Sequence, residues 1–418
     1  MGVIIMLLFV CLGAYGRYNY AAVCPPSHRD DLQLSGCQLN IMSNSSQDDV
    51  EVMTMYSREV YSIQADTPLI INMRNSLHAY KGIEDKGILV SGSDELVVTV
   101  VKLDAETGAN HFVDAYQAAD WYEAGYDYFI LLKTQGCDDP KYVKSFIIAI
   151  PFSDGAFIEL YDQSGIYIDF VLLNPFQTYT LRTTAPDEDF SGLWIRSSRR
   201  VMVVTGSLCV SNSEADTGRE SMITSLQPDI DGNQHYVIPV IEGVKDSGYG
   251  LKVLAIESNT LVTHEDNQRV LGRGEYWEIT KEFDNGGSMV TCSDLCQAVM
   301  FTIGQNIGNF LFSLPGDFRY GKFAKFAPLD FDGDHWLSLV VYGLPPMDDI
   351  FLNGESLSDK VWNVIDPFSL TQIPIEKGVS YTISSVGEKT FGAYVYCHFD
   401  GEVKGGYSFS VEPQGQKV

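Results

Sequence analysis

Tyr236-Val237-Ile238-Pro239, followed by Leu251-Lys252-Val253-Leu254-Ala255-Ile256-Glu257-Ser258-Asn259-Thr260, Gly274-Glu275-Tyr276-Trp277-Glu278-Ile279 and Ala298-Val299-Met300-Phe301, is a phrase that the chain uses more than once. An earlier version reads Tyr128-Phe129-Ile130, Phe146-Ile147-Ile148-Ala149-Ile150, Gln177-Thr178-Tyr179-Thr180-Leu181 and Val201-Met202-Val203-Val204. The offsets are 108 (Ile130 to Ile238), 106 (Ala149 to Ala255), 97 (Tyr179 to Tyr276) and 97 (Val203 to Met300). A third version runs through Leu337 to Tyr342, Gly378 to Ile383 and Gly392 to Tyr396, with 104 residues from Gly274 to Gly378. Short β-branched and aromatic runs separated by Gly, Pro, Asp and Asn read as strands and turns. The period exceeds one propeller blade of about 40 to 50 residues. The reading is therefore an all-β chain of tandem β-sandwich-like repeats of about 100 residues packed together, with a β-propeller-like closed arrangement as the alternative.

Working outward, further strands are expected at Gly87 to Val90, Leu96 to Val101, Ile166 to Leu173 and Phe391 to Tyr396, and a short helix near Asp114 to Glu123. The expected divisions are a signal peptide at 1–16, an N-terminal cysteine-containing segment at 17–56 and a partial leading β unit at 57–108. Three β repeats follow at 109–212, 213–310 and 311–418. Flexible low-complexity linkers are absent from the sequence, so the units are expected to pack directly on one another.

The chain has 418 residues, of which 55 are acidic and 28 basic, giving a formal net charge of −27. Such a surface repels phosphate backbones, which excludes nucleic acid as a partner. At 45% hydrophobic residues the chain can bury a large core. From Val3 to Ala14 it is almost wholly apolar, and Ala14 and Gly16 offer small residues before Arg17. That run is too short to span a bilayer and reads as a signal peptide. With no later apolar stretch long enough to span and a polar C-terminus, the expectation is a secreted, extracellular protein without a membrane span.

Eight cysteines follow from the sequence, and Cys11 would leave with the signal peptide. An odd count of seven implies a free thiol or an intermolecular bridge. Cys24 with Cys37, and Cys292 with Cys296, could each close a short loop. Cys137, Cys209 and Cys397 are then the unpaired or intermolecular candidates, with Cys137 or Cys209 expected to link two chains. A zinc reading of Cys292-Ser293-Asp294-Leu295-Cys296 lacks a second ligand pair. Asn44-Ser45-Ser46 is the glycosylation acceptor, at Asn44.

Several phrases in fixed order carry a resemblance. Lys86 to Ser91, Leu226-Gln227-Pro228, Tyr236 to Pro239, Val253 to Thr260, Gly274 to Trp277, Leu352-Asn353-Gly354 and Phe391 to Tyr396 are similar to the N-terminal domain of the IgG Fc-binding protein family, over roughly Ser57 to Val411. The resemblance implies a secreted, mucus-associated or adhesive binding module of extracellular matrix type, with no known catalytic residues. Where the family commonly places a second cysteine shortly after the position of Cys209, this chain has Arg219-Glu220. No residue matches an immunoglobulin contact, so antibody binding is not carried over.

The residues themselves offer little chemistry. Nucleophile-elbow, metalloprotease, phosphate-loop and dinucleotide motifs are missing, and the seven histidines show no ligand spacing. No catalytic or cofactor-binding residue is assigned. For metals, Asp229-Ile230-Asp231-Gly232-Asn233 and Asp330-Phe331-Asp332-Gly333-Asp334 repeat 101 residues apart. Their carboxylates (Asp229, Asp231, Asp330, Asp332, Asp334) could face calcium, although the glycine spacing suits an Asp-Gly hairpin turn instead of an EF-hand.

Two functions compete. The first is a non-catalytic secreted adhesion module that binds an extracellular glycoprotein, a carbohydrate or copies of itself. The second is an extracellular, glycosidase-like hydrolase using paired carboxylates. An enzyme should gather acids, a histidine and aromatics in one cleft, whereas a binding module should expose an apolar or aromatic face.

Overall fold

The structure, a computed structural model, describes residues 18–26, 35–43, 47–105, 111–133, 145–152, 154–183, 188–210, 220–228, 232–239, 241, 248–282, 287–303, 310–398 and 404–411. Among these the chain is built of strands in five sheets, almost all paired antiparallel, in a propeller-like arrangement of four blades. Both sequence expectations thus find a place: repeats of the expected kind, set in a closed ring.

The unit is clearest between Gly125 and Ser225. Its long strand, Trp194–Val210, pairs with different strands along its two halves. The first part pairs with Gly125–Phe129 on one side and Ala156–Tyr161 on the other. The second part pairs with Ser145–Pro151 and Glu220–Ser225. In the next unit Ser288–Ile303 plays the same role. Its first half holds Asn233–Ile238 and Thr260–His264, and its second half holds Gly248–Ala255 and Leu311–Ser313. These are the repeated phrases of the sequence, each with β-branched residues suited to a pleated, buried surface.

The same pairing order occurs at the start of the chain. Tyr18–Val23 pairs with Gly87–Gly92, Gln47–Met53 pairs with Gly87–Gly92 and Arg58–Gln64, and Ser35–Ser43 pairs with Leu96–Ala105 and Leu69–Met73. Strands on both sides of residue 57 therefore interleave. The leading unit is whole from Tyr18, and its long strand is broken at Ser93–Glu95, where Asp48 accepts the backbone N–H groups of Ser93 and Asp94. In the fourth unit the equivalent positions are filled by Phe323–Phe326, Asp334–Tyr342, Ile350–Leu352, Glu355–Ser356, Phe368–Ile375, Tyr381–Ser385, Thr390–His398 and Lys404–Val411, with Asn363–Ile365 as an added strand.

Four apolar cores lie between the units. One joins the first unit to Phe146, Ile148, Met202 and Val204 of the second. Another joins the second to Leu254, Val299 and Phe301 of the third. A further one joins the third to Val340, Phe368 and Tyr394 of the fourth. The last joins the fourth to Val101, Val113 and Ala115 of the first, closing the circle. Period-2 geometry makes this work: Val201 and Val203 enter one core while Met202 and Val204 enter its neighbour. The final strands of the units, His111–Gln117, Glu220–Ser225, Leu311–Ser313 and Lys404–Val411, touch in cyclic order. Parallel pairing of Lys404 and Gly405 with Phe112 and Val113 joins the last unit to the first.

The helix expected at Asp114 to Glu123 is instead the end of strand His111–Gln117, followed by one turn at Trp121–Glu123. The Asp120 carboxylate shapes that turn by accepting the N–H groups of Tyr122 and Glu123 at 2.7 and 2.8 Å. Pairing of the preceding run with Leu96–Ala105 outweighs any helical tendency.

Candidate functional site

The outward sheet face of the second unit concentrates exposed aromatic and apolar side chains. In Ala156–Tyr161 alternate residues divide between the core and this face: Ile158 and Leu160 go in, and Phe157, Glu159 and Tyr161 point out. Neighbouring strands extend each outward residue into a row. Tyr161 stands opposite Tyr167 and Trp194, and Trp194 opposite Phe129. The ring centroids are 5.9 Å apart for Tyr161 and Tyr167, 4.8 Å for Tyr161 and Trp194 and 6.0 Å for Phe129 and Trp194. The guanidinium of Arg273, from the third unit, lies 4.5 Å from the Trp194 ring centre.

The second row is charged at its centre. Phe170 faces Glu159, Glu159 faces Arg196, and Arg196 faces Asp127, with Arg196 Nε 3.8 Å from the Asp127 carboxylate. Burial raises the Asp127 carboxyl above its ordinary value, partly countered by Arg196. Tyr161 donates its hydroxyl to Glu159 at 3.1 Å. The third row is apolar, with Leu172 opposite Phe157, both about half exposed. Trp, Tyr and Arg anchors beside exposed apolar groups have the composition of binding hot spots.

At the rim of this face lies Tyr167–Leu173, the terminal strand of its sheet. Exposed Tyr167, Ile168, Phe170 and Leu172 lie along it.

The residues singled out from sequence fall in several places. Cys24 is bonded to Cys37, and Cys292 to Cys296. Cys397 is a buried free thiol, 3.5 Å from His335 Nε2, and burial pushes its pKa up. Cys137, Asn44, the expected signal peptide, Asp229 and Asp231 lie outside the described residues, as does the Cys209 side chain. Asp330, Asp332 and Asp334 are exposed, and Lys377 pairs with the first two. Among the described residues no three His, Cys, Asp or Glu side chains converge as metal ligands.

Chemistry-bearing side chains are tied into structure. The Ser288 hydroxyl is 3.3 Å from His264 Nε2 and 2.9 Å from the Tyr249 hydroxyl, all three buried. Buried Lys252 holds Asp189 at 2.9 Å across the boundary between the second and third units, and Glu278, opposite it in its own sheet, at 3.5 Å. A groove between the first and fourth units, lined by Asn40, Met42, Pro68, Ile70, Val97 and Asp330 among others, carries that single carboxylate. A narrow opening on the ring axis, bounded by Gln117, Thr224, Ser313 and Ser410, carries one as well, Glu123.

No helix among the described residues is long and apolar enough to cross a membrane. No curated protein matches the chain significantly. Solved structures that align with it include a glycosyl hydrolase family 2 member from Bacteroides cellulosilyticus DSM 14838, at 8% identity over 53% of this chain and 29% of that chain, TM-score 0.13. A 1.5-MDa bacterial ice-binding adhesin aligns at 10% identity over 65% and 86% of the two chains, TM-score 0.11. The BSP domain of a biofilm associated protein aligns at 8% identity over 96% and 97%, TM-score 0.13. At these scores none of the three bears on fold or function. The family model described as IgGFc binding protein matches residues 153–397. That span is more than half of the chain and takes in the aromatic face of the second unit apart from Gly125–Phe129, so the chain belongs to the IgGFc-binding family.

Proposed function

We propose that this chain is a secreted, non-catalytic extracellular binding protein, and that its contact surface is the outward sheet face of the second unit. The observation that carries the reading is the run of exposed Phe157, Tyr167, Phe170 and Leu172 beside the Tyr161–Trp194 pair and its arginines. Contiguous exposed apolar area of this kind marks interaction sites in soluble proteins. Family membership supports binding over catalysis, and the apolar run from Val3 to Ala14 supports export. The ligand class is an extracellular glycoprotein, a carbohydrate or another copy of the chain.

The test is an array of extracellular proteins and glycans probed with the purified chain and with a Phe157→Ser/Trp194→Ala variant, with and without calcium. The expected result is a reproducible ligand lost by the variant. Turnover of a polysaccharide, abolished by one carboxylate substitution, would overturn the reading in favour of a hydrolase.

A further inference from the structure

The four units offer an internal comparison of one position, the outermost strand beside the aromatic face or its equivalent. Each is terminal in its sheet. In the first unit it is Arg58–Gln64, carrying Arg58, Glu59, Ser62 and Gln64. In the third it is Asn267–Leu271, beginning Asn267, Gln268, Arg269. In the fourth it shrinks to Glu355–Ser356. Charges and brevity are the devices by which proteins protect an edge from pairing with other chains. The second unit departs from this: Tyr167–Leu173 reads YIDFVLL, and every residue before Val171 is exposed.

We propose that this edge is a strand-addition site, and that its occupant is an extended segment of a partner protein with apolar residues at alternate positions and a basic residue between them. The proposal rests on the reading of the second unit's face as the contact surface and names the partner's form. The edge is regular from Asp169 to Leu173, since the register slips at Ile168. Along it Phe170 and Leu172 lie on the outward face, opposite Glu159 and Phe157, while Asp169 and Val171 lie on the other, opposite Leu160 and Ile158. A strand laid beside it exposes its own alternate side chains to the same two surfaces, so apolar positions meet Phe170 and Leu172, and the position flanking the one at Phe170 meets Asp169 on the other surface.

Charge selects the rest. The Asp169 carboxylate is exposed, receives the Tyr179 hydroxyl at 3.4 Å and accepts the N–H of Phe170 at 2.8 Å. A Lys or Arg on the incoming strand would take that carboxylate, leaving the N–H for a main-chain carbonyl. The net charge of −27 draws basic partners and opposes a second copy of the chain.

The experiment uses the full chain and three synthetic decapeptides at physiological salt: alternating Val-Lys, alternating Val-Glu, and the Val-Lys peptide N-methylated at every second residue. The expected result is that Val-Lys binds at least tenfold more tightly than either other peptide and slows amide exchange within residues 169–173. It should also lose at least tenfold in affinity with a Phe170→Ser/Leu172→Ser variant, and severalfold with Asp169→Asn. These positions are exposed, so both variants should melt with the wild type. Equal binding of the N-methylated peptide overturns the proposal, because side chains alone would then suffice. If Phe157→Ser weakens that binding, the face still serves as a contact surface. A wild-type chain that dimerises in sedimentation while Phe170→Ser/Leu172→Ser stays monomeric also overturns the proposal, the occupant then being a second copy.

Discussion

Tyr128 and Tyr236, 108 residues apart, make the same pair of hydrogen bonds. Each hydroxyl accepts a backbone N–H from three residues earlier, Gly125 at 2.8 Å and Asn233 at 3.1 Å. Each also donates to a carbonyl on its unit's long strand, Val201 and Cys296, where that strand exchanges one set of pairing partners for another. The phenol thus satisfies two backbone groups at the place where the strand changes partners in the core.

Removing either hydroxyl should therefore be costly. Tyr128→Phe and Tyr236→Phe keep the ring but strand a buried N–H and a buried carbonyl, which predicts a loss of about 1–3 kcal/mol each. Because the two sites lie in different units, the double variant should lose close to the sum. Urea unfolding midpoints test both statements, and an unchanged midpoint would mean that water replaces the phenol.

How much of this was legible follows from the same residue. Tyr20 sits another 108 residues before Tyr128, and its hydroxyl accepts the N–H of Leu96, the first residue after the break in the first unit's long strand. The repeat was visible in the second and third units, where that long strand is continuous, and in the fourth, where both of its pieces kept their apolar phrases. In the first unit, Ser93, Asp94 and Glu95 interrupt it, so the strand read as two fragments and the unit as truncated. The face of the second unit was hidden for another reason. Apolar residues on both sides of a strand carry no alternation, and YIDFVLL reads equally as a buried strand or as an exposed edge. Only strand order separates the two.

Lys252 gives a second prediction. Its ammonium is buried and bonded to Asp189 and to the Ser191 hydroxyl, while Tyr276 donates to the same Asp189 carboxylate at 3.0 Å. Lys252→Met should destabilise by about 3 kcal/mol, the low end for breaking a buried pair, since both Asp189 and Glu278 keep some contact with water. Thermal unfolding of the variant checks it, with loss of the boundary between the second and third units as the first event.

The same cluster sets a pH dependence. Burial alone would raise the Asp189 carboxyl, but Lys252 and the hydrogen bonds from Lys252 and Ser191 outweigh it and hold the group below its ordinary value. A folded value below the unfolded one, about 3.9, contributes stability that is complete above that pH and is lost as pH falls through the folded value. Acid unfolding of the wild type should be steeper below about pH 4 than that of Lys252→Met. Parallel curves would remove Asp189 from the account.

Cys397 should be silent in the folded protein. Burial raises its thiol pKa, and the thiolate is the reactive form. Iodoacetamide should leave Cys397 unmodified under native conditions and modify it fully in denaturant, read by peptide mass. Native labelling or a Cys397-linked dimer would contradict the packing of this residue against His335.

The bond between Cys24 and Cys37 should matter more than its position near the start of the described chain suggests. Cys24 follows Tyr18–Val23, which pairs with Gly87–Gly92, and Cys37 lies in Ser35–Ser43, which pairs with Leu96–Ala105. The bridge therefore ties together the two halves of the first unit, on either side of the break in its long strand. It closes a loop with a sequence separation of 13, for which the loss of unfolded-chain entropy is about 3 kcal/mol. A Cys24→Ala/Cys37→Ala variant should lose about 2–4 kcal/mol in urea unfolding. The first unit meets the fourth through Val101, Val113 and Ala115, so the variant should also show faster amide exchange in Lys404–Val411, the strand that closes the ring. Exchange confined to Tyr18–Val23 would mean that the ring holds without the first unit's bridge.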